Sequence, residues 1–191
     1  MSTMLDIIGS FIIGSFVMVM LLNINANYAR VQGTQTLTKI VQSNATTASA
    51  LLENDFRKIG YRCGDSLKIK YMDSTRIVAL GDFDDNGVVD SLQYGFDYAT
   101  SVYASPSNTK IRLLYRRLNT QTPMAINLGF TRFQLSYYDS LENPTSIPAN
   151  VKSIKVAFQF ESPYKFETTT QYDTGFYSMY WERIIKPKNT K

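Results

Sequence analysis

The chain contains no histidine and a single cysteine, Cys63, among its 191 residues. The first absence excludes histidine triads, histidine general bases and histidine metal sites. The second excludes an internal disulfide, a cysteine–histidine dyad and a multi-cysteine zinc site. Proline is scarce, six in all, and none falls within residues 1–60. Charge is sparse too. Twenty basic and 16 acidic residues leave a net +4, and the basic residues are dispersed rather than gathered into a stripe, so nucleic acid is not an expected partner. Carboxylate and serine–lysine chemistry remain open in principle, but no motif supports either, and the chain reads as a non-enzyme.

What is present begins at the N-terminus. Ile7 to Ile24 reads IIGSFIIGSFVMVMLLNI, 18 residues without a charge, near the lower limit for spanning a bilayer. A secretory signal would carry basic residues before the run and a small-residue cleavage site after it. Met1-Ser-Thr-Met-Leu-Asp6 has no Lys or Arg, and Asn23 to Asn27 offers no A-x-A, so a retained anchor is expected. The pentapeptide IIGSF occurs twice in tandem, and Ser10 and Gly14 are spaced to share one helical face beside Gly9. Small residues so spaced let helices approach closely in lipid. Glycine is also simply common in membrane helices, which accounts for the pattern equally well.

The helical periodicity continues past Gly33. Leu37, Ile40, Val41, Ala45, Ala48, Leu51, Leu52, Phe56 and Ile59 recur at steps of three and four, an amphipathic stripe. Gly60 is a candidate C-cap, with Arg57 and Lys58 in the last turn, where the helix dipole favours cations. A continuous helix of about 55 residues would reach roughly 80 Å. Its weakest stretch is Asn23 to Gly33, polar and built of poor helix formers, where local unwinding is the expectation. The two halves differ in kind. Residues 1–28 form an apolar segment with no partner in the chain, and residues 29–60 form an amphipathic continuation.

After Gly60 the texture becomes β-rich, so residues 61–191 read as one outer domain and the fold class as α+β, a long helix packed on an antiparallel sheet. Expected strands are Leu67–Met72, Arg76–Leu80, Ser91–Tyr98, Lys110–Leu118, Met124–Leu128, Phe133–Tyr138, Val151–Phe160 and Ser178–Ile185. The arrangement implied is a meander or a split sheet wrapped on the polar half of the rod. Most of the 13 tyrosines suit half-buried strand positions, with a minority, clustered at Tyr137-Tyr138 and from Tyr172 onward, available for a sticky surface. The basic end, Lys186 to Lys191, reads as a solvated terminus.

One loop stands out. In Asp82-Phe-Asp-Asp-Asn-Gly-Val-Val-Asp90, the side chains of Asp82, Asp84, Asn86 and Asp90 fall at alternating positions of a D-x-[DN]-x-[DN]-G calcium loop, with Gly87 at the turn and Val88 able to offer a carbonyl. The twelfth position is Gln93 rather than a bidentate glutamate, and no helices flank the loop. The competing reading is an Asn-Gly hairpin turn with acidic, solvated neighbours. Calcium is thus the one cofactor the sequence raises.

An apolar half-helix that runs into an amphipathic half-helix and then a small antiparallel sheet resembles the type IV pilin and pseudopilin family over nearly the whole chain. Leu51-Leu-Glu-Asn-Asp-Phe-Arg-Lys-Ile-Gly-Tyr61 looks like the end of the first helix in larger minor pilins and pseudopilins. The acidic Asn-Gly loop followed by Ser91-Leu-Gln-Tyr94 is also similar to theirs. The resemblance implies a structural filament subunit. It would wait in the inner membrane, assemble with other copies or related subunits, and end at the cell surface or in a periplasmic pseudopilus. It also implies an acid early in the apolar run. Asp6 would be the fifth residue from the amine if Met1 alone were removed, while the family's basic leader and its helix proline have no counterpart here. The expected assembly residues are therefore Asp6, Gly9, Ser10 and Gly14. The rival of another class is a monomeric envelope protein, anchored by one helix, that binds ligand or calcium through its β domain.

Overall fold

The computed structural model describes residues 2–64, 67–96, 107–167 and 174–187. One helix, α1, runs unbroken from Ser2 to Arg57, 56 residues and roughly 84 Å at 1.5 Å per residue. The expected unwinding between Asn23 and Gly33 does not occur. With no proline to remove a backbone donor, the ladder is not interrupted. The Thr34, Thr36 and Thr38 hydroxyls each donate to the carbonyl four residues back, at 3.2, 2.9 and 2.9 Å.

Seven strands follow: β1 Ile69–Met72, β2 Arg76–Gly81, β3 Asp90–Phe96, β4 Arg112–Leu118, β5 Met124–Tyr138, β6 Ser153–Glu167 and β7 Thr174–Ile185. They form one antiparallel sheet in sequential order, a meander. The two strands expected at Met124–Leu128 and Phe133–Tyr138 are one strand. Gly129 adopts φ 90° and the register slips between Phe130 and Arg132, so the chain bends through a bulge without leaving the sheet. Only glycine fits there, because a Cβ would lie 2.8 Å from the Glu161 carbonyl oxygen. β6 and β7 also run further than their alternating cores, past an irregularity between Glu161 and Lys165. Tyr98 and Tyr172 lie outside the described residues, as do the last four of the basic end.

The core lies between α1 and the inner face of the sheet. Val41, Ala45, Ala48, Leu52, Phe56 and Ile59 of the helix stripe are buried, while Ile40, on its margin, is exposed. They meet β5, β6 and β7. There the aromatic pairs Phe130–Phe160 and Phe158–Trp181 lie at centroid distances of 4.4 and 4.5 Å. Phe133, Phe158 and Trp181 form one row across the three strands, the cross-strand contact that stabilises a sheet.

A buried ion pair crosses this apolar layer. The Asp55 carboxylate of α1 is enclosed; it accepts from Arg116 Nε of β4 at 2.7 Å and from the Tyr94 hydroxyl of β3 at 2.6 Å. Burial, then the nearby Asp55 charge, hold the Tyr94 phenol well above its usual range, so it remains a donor. Phe56 stacks on Tyr94 at 5.8 Å.

Because the stripe is satisfied by the sheet, a chain begun at Arg30 is expected to be soluble, monomeric and β-rich. Circular dichroism and sedimentation check this; obligate oligomers of the shortened chain would contradict it.

Candidate assembly helix and acidic loop

The N-terminal half of α1 is long and apolar enough to cross a membrane, and none of its most apolar 18-residue window is buried among the described residues. It is a candidate membrane anchor. Met4, Leu5, Ile7, Phe11, Phe16 and Met20 are all more than half exposed. Ser10 and Ser15 do not burden this surface with free hydroxyls, since each donates to the carbonyl four residues back at 2.7 Å. Ser10's acceptor is the Asp6 backbone oxygen, so Asp6, Ser10 and Gly14 rise along one face. Ser10 and Gly14 leave a notch bordered by Phe11, Ser15, Met18 and Val19. A Cβ added at Gly9 or Gly14 would meet no atom within 4 Å, so neither glycine is required by the fold of the single chain.

The second site joins the exit of α1 to the β2–β3 loop. Helix geometry ends at Arg57, and Gly60, at φ 77°, turns the chain toward the sheet. It has the left-handed conformation of the expected C-cap, but its N–H, instead of closing on the helix, donates to the Leu80 carbonyl of β2 at 2.7 Å. Asp82 N–H then donates to the Tyr61 carbonyl at 3.1 Å. Helix exit and strand end are so close that a Cβ on Gly81 would lie 2.4 Å from the Lys58 carbonyl oxygen.

The loop itself is no two-residue hairpin. β2 ends at Gly81 and β3 begins with its pairing partner Asp90, leaving residues 82–89 as a loop folded on its own carboxylates. Asp82 is fully buried. Its Oδ2 accepts from Arg62 at 2.7 Å and from Gly87 N–H at 3.0 Å, whereas its buried Oδ1 has no hydrogen-bond partner. Asp90 is buried, accepting Phe83 N–H at 3.2 Å and the Asn119 amide at 2.7 Å. Asp84 is exposed and accepts from the Asn86 amides, N–H at 3.2 Å and Nδ2 at 2.8 Å. Asn86 Oδ1 in turn accepts Val88 N–H at 2.7 Å. One carboxylate oxygen each from Asp82, Asp84 and Asp90 lies within 4.8 Å of the others. Lys58 braces the outside, donating to the Phe83 carbonyl at 2.9 Å and to Asp85 at 2.6 Å.

The structure thus brings together Asp82, Asp84 and Asp90, with Asn86 tied to Asp84. Val88 is largely exposed, and Gln93 sits in β3, where it lines an outer groove with Asp73, Arg76 and Arg117 instead of reaching the loop. Sequence spacing missed Arg62 and Asn119. Asn119 reaches the loop only through the β3–β4 pairing, and no local pattern announces that. Comparison with protein-family models, with curated proteins and with solved structures finds no match to this chain.

Burial pushes the Asp82 carboxyl up, but the Gly87 N–H and Arg62 outweigh it and hold the group below its usual range. With the folded value below the unfolded one, this contribution to stability is complete above the unfolded carboxylate range, near pH 4, and is lost as pH falls through the folded value. Urea denaturation from about pH 6 to pH 3 should therefore show a loss of stability on acidification that is shallower in Asp82→Asn; identical slopes would remove Asp82 from the account.

Proposed function

We propose that this chain is a structural subunit of a type IV pilus-like or pseudopilus filament, related in design to the larger minor pilins and pseudopilins and assembled through the apolar half of α1. The supporting observation is the contrast along one unbroken helix. From Val41 onward its stripe is buried by the sheet, while its first half presents apolar side chains on all sides and is not covered by any of the described residues. Such a surface needs lipid or other helices. Before assembly the inner membrane covers it; in a filament, copies or related subunits replace the lipid. The small residues Gly9, Ser10 and Gly14 permit the close helix approach that packing in lipid depends on.

A second reading is favoured by the acidic loop: an anchored monomer that uses its β domain to bind a ligand or calcium. Oligomeric state separates the two, and electron microscopy of native assemblies, with intact-mass measurement of the N-terminus, is the direct test. Gly14→Leu fills only open space in the single chain, so it should leave the outer domain folded and abolish filaments. Normal filaments from that variant would sink the proposal.

Asp6 adds a test of register. It is exposed at the edge of the apolar run, and an ionised carboxylate taken into lipid or a packed filament is costly unless paired. The dipole at the helix start offsets part of that cost. A cationic group on a neighbouring copy would offset more and would favour one stagger between subunits. Asp6→Asn keeps shape and removes charge, so it is expected to insert normally and assemble poorly. Assembly equal to wild type would show that the charge has no part in register.

A further inference from the structure

We propose that the β2–β3 loop is a calcium site, with Asp82, Asp84 and Asp90 as its carboxylate ligands. Two independent observations carry this. The first is spacing: three carboxylate oxygens from these residues lie mutually within 4.8 Å. Ligands held about 2.3–2.6 Å from one calcium ion can be at most roughly 4.6–5.2 Å apart, so each pair of the three lies within reach of a common ion, and small side-chain rotations would close the trio on it. The second is the buried Asp82 Oδ1, which has no hydrogen-bond partner although the side chain is fully enclosed and Oδ2 is doubly satisfied. Buried acceptors are normally paired, and a bound cation would supply the partner that this oxygen lacks.

Charge points the same way. Arg62 neutralises Asp82, and among the described residues Asp84 and Asp90 have no ion pair. Lys58 is taken up outside the trio by Asp85. Three carboxylates with one guanidinium leave two negative charges for a divalent ion. The donor set is all oxygen, which suits a hard cation, and the loop lies near the surface, where water completes a coordination of 6–8 oxygens. The ligand set is narrower than the motif implied: Asn86 is occupied with Asp84 and Val88, and Gln93 points elsewhere. This site does not rest on the filament reading, since every ligand belongs to the outer domain.

The test is calorimetric titration of the full chain, unassembled in detergent and stripped with chelator, with calcium chloride alone, alongside thermal melting. Calcium at about tenfold its dissociation constant should raise the melting temperature by about 3–6 °C. Asp84→Asn, at an exposed position that keeps an oxygen to cap Asn86, should stay folded without calcium and lose most of that shift. Asp85→Asn, beside it but outside the trio, should retain it. No binding heat and no shift up to about 10 mM calcium in the folded wild type would overturn the site, as would equal loss in Asp84→Asn and Asp85→Asn. An equal response to magnesium, which demands stricter octahedral geometry, would overturn its assignment to calcium.

Discussion

Burial of the α1 stripe against β5, β6 and β7 is the contact on which everything else rests. A seven-stranded meander has an inner face rich in phenylalanine and no second sheet to cover it; the helix is its only lid among the described residues. The helix gains equally, since most helical stability in proteins comes from packing one face rather than from propensity. Asp55 then selects one placement of the lid. Its carboxylate meets Arg116 and Tyr94 together, and a helix turned or slid by one residue would bury that charge unpaired. Breaking such a pair by removing one partner typically costs about 3–5 kcal/mol, although the pair as a whole contributes much less.

Docking one half of an unbroken rod has a consequence for the other half. The C-terminal half is fixed to a rigid sheet, and the ladder continues without a proline through Asn23 to Gly33. The apolar half is therefore held out as a lever rather than a tether. A flexible link would let the outer domain drift over a membrane; a continuous helix sets its height and direction. In a helical assembly the same stiffness would carry the stagger of the packed apolar halves out to the β domains.

Much of this was legible in the sequence because it is written in periodicity. The stripe from Val41 to Ile59 repeats at helical spacing and is buried as read, and the alternation of Ile154, Val156, Phe158 and Phe160 marks the inner face of β6. What failed to show was written in tertiary contacts. The break read between Leu128 and Phe133 is a bulge at Gly129, where a glycine serves close approach instead of a turn. The helix through Asn23 to Gly33 defies local propensity because nothing interrupts its ladder. Asp55, Arg116 and Tyr94 are far apart in sequence, and each alone looks like an ordinary surface or strand residue. In the loop the carboxylate spacing was visible, but not Arg62 and Asn119, which arrive by chain reversal and strand pairing.

The position of that loop gives its chemistry a structural meaning. Gly60 N–H to Leu80 O and Asp82 N–H to Tyr61 O stitch the helix exit directly to the end of β2. Lys58 and Arg62, on either side of Gly60, both reach into the loop, one to Asp85 and the Phe83 carbonyl, the other to Asp82. The acidic loop is thus the fastening at which the rod turns into the sheet. Its carboxylates are gathered closely enough to repel one another, and two of the three are buried. Arg62, paired with Asp82, offsets part of that repulsion. The same contacts that order the loop therefore also fix where the helix leaves for the sheet.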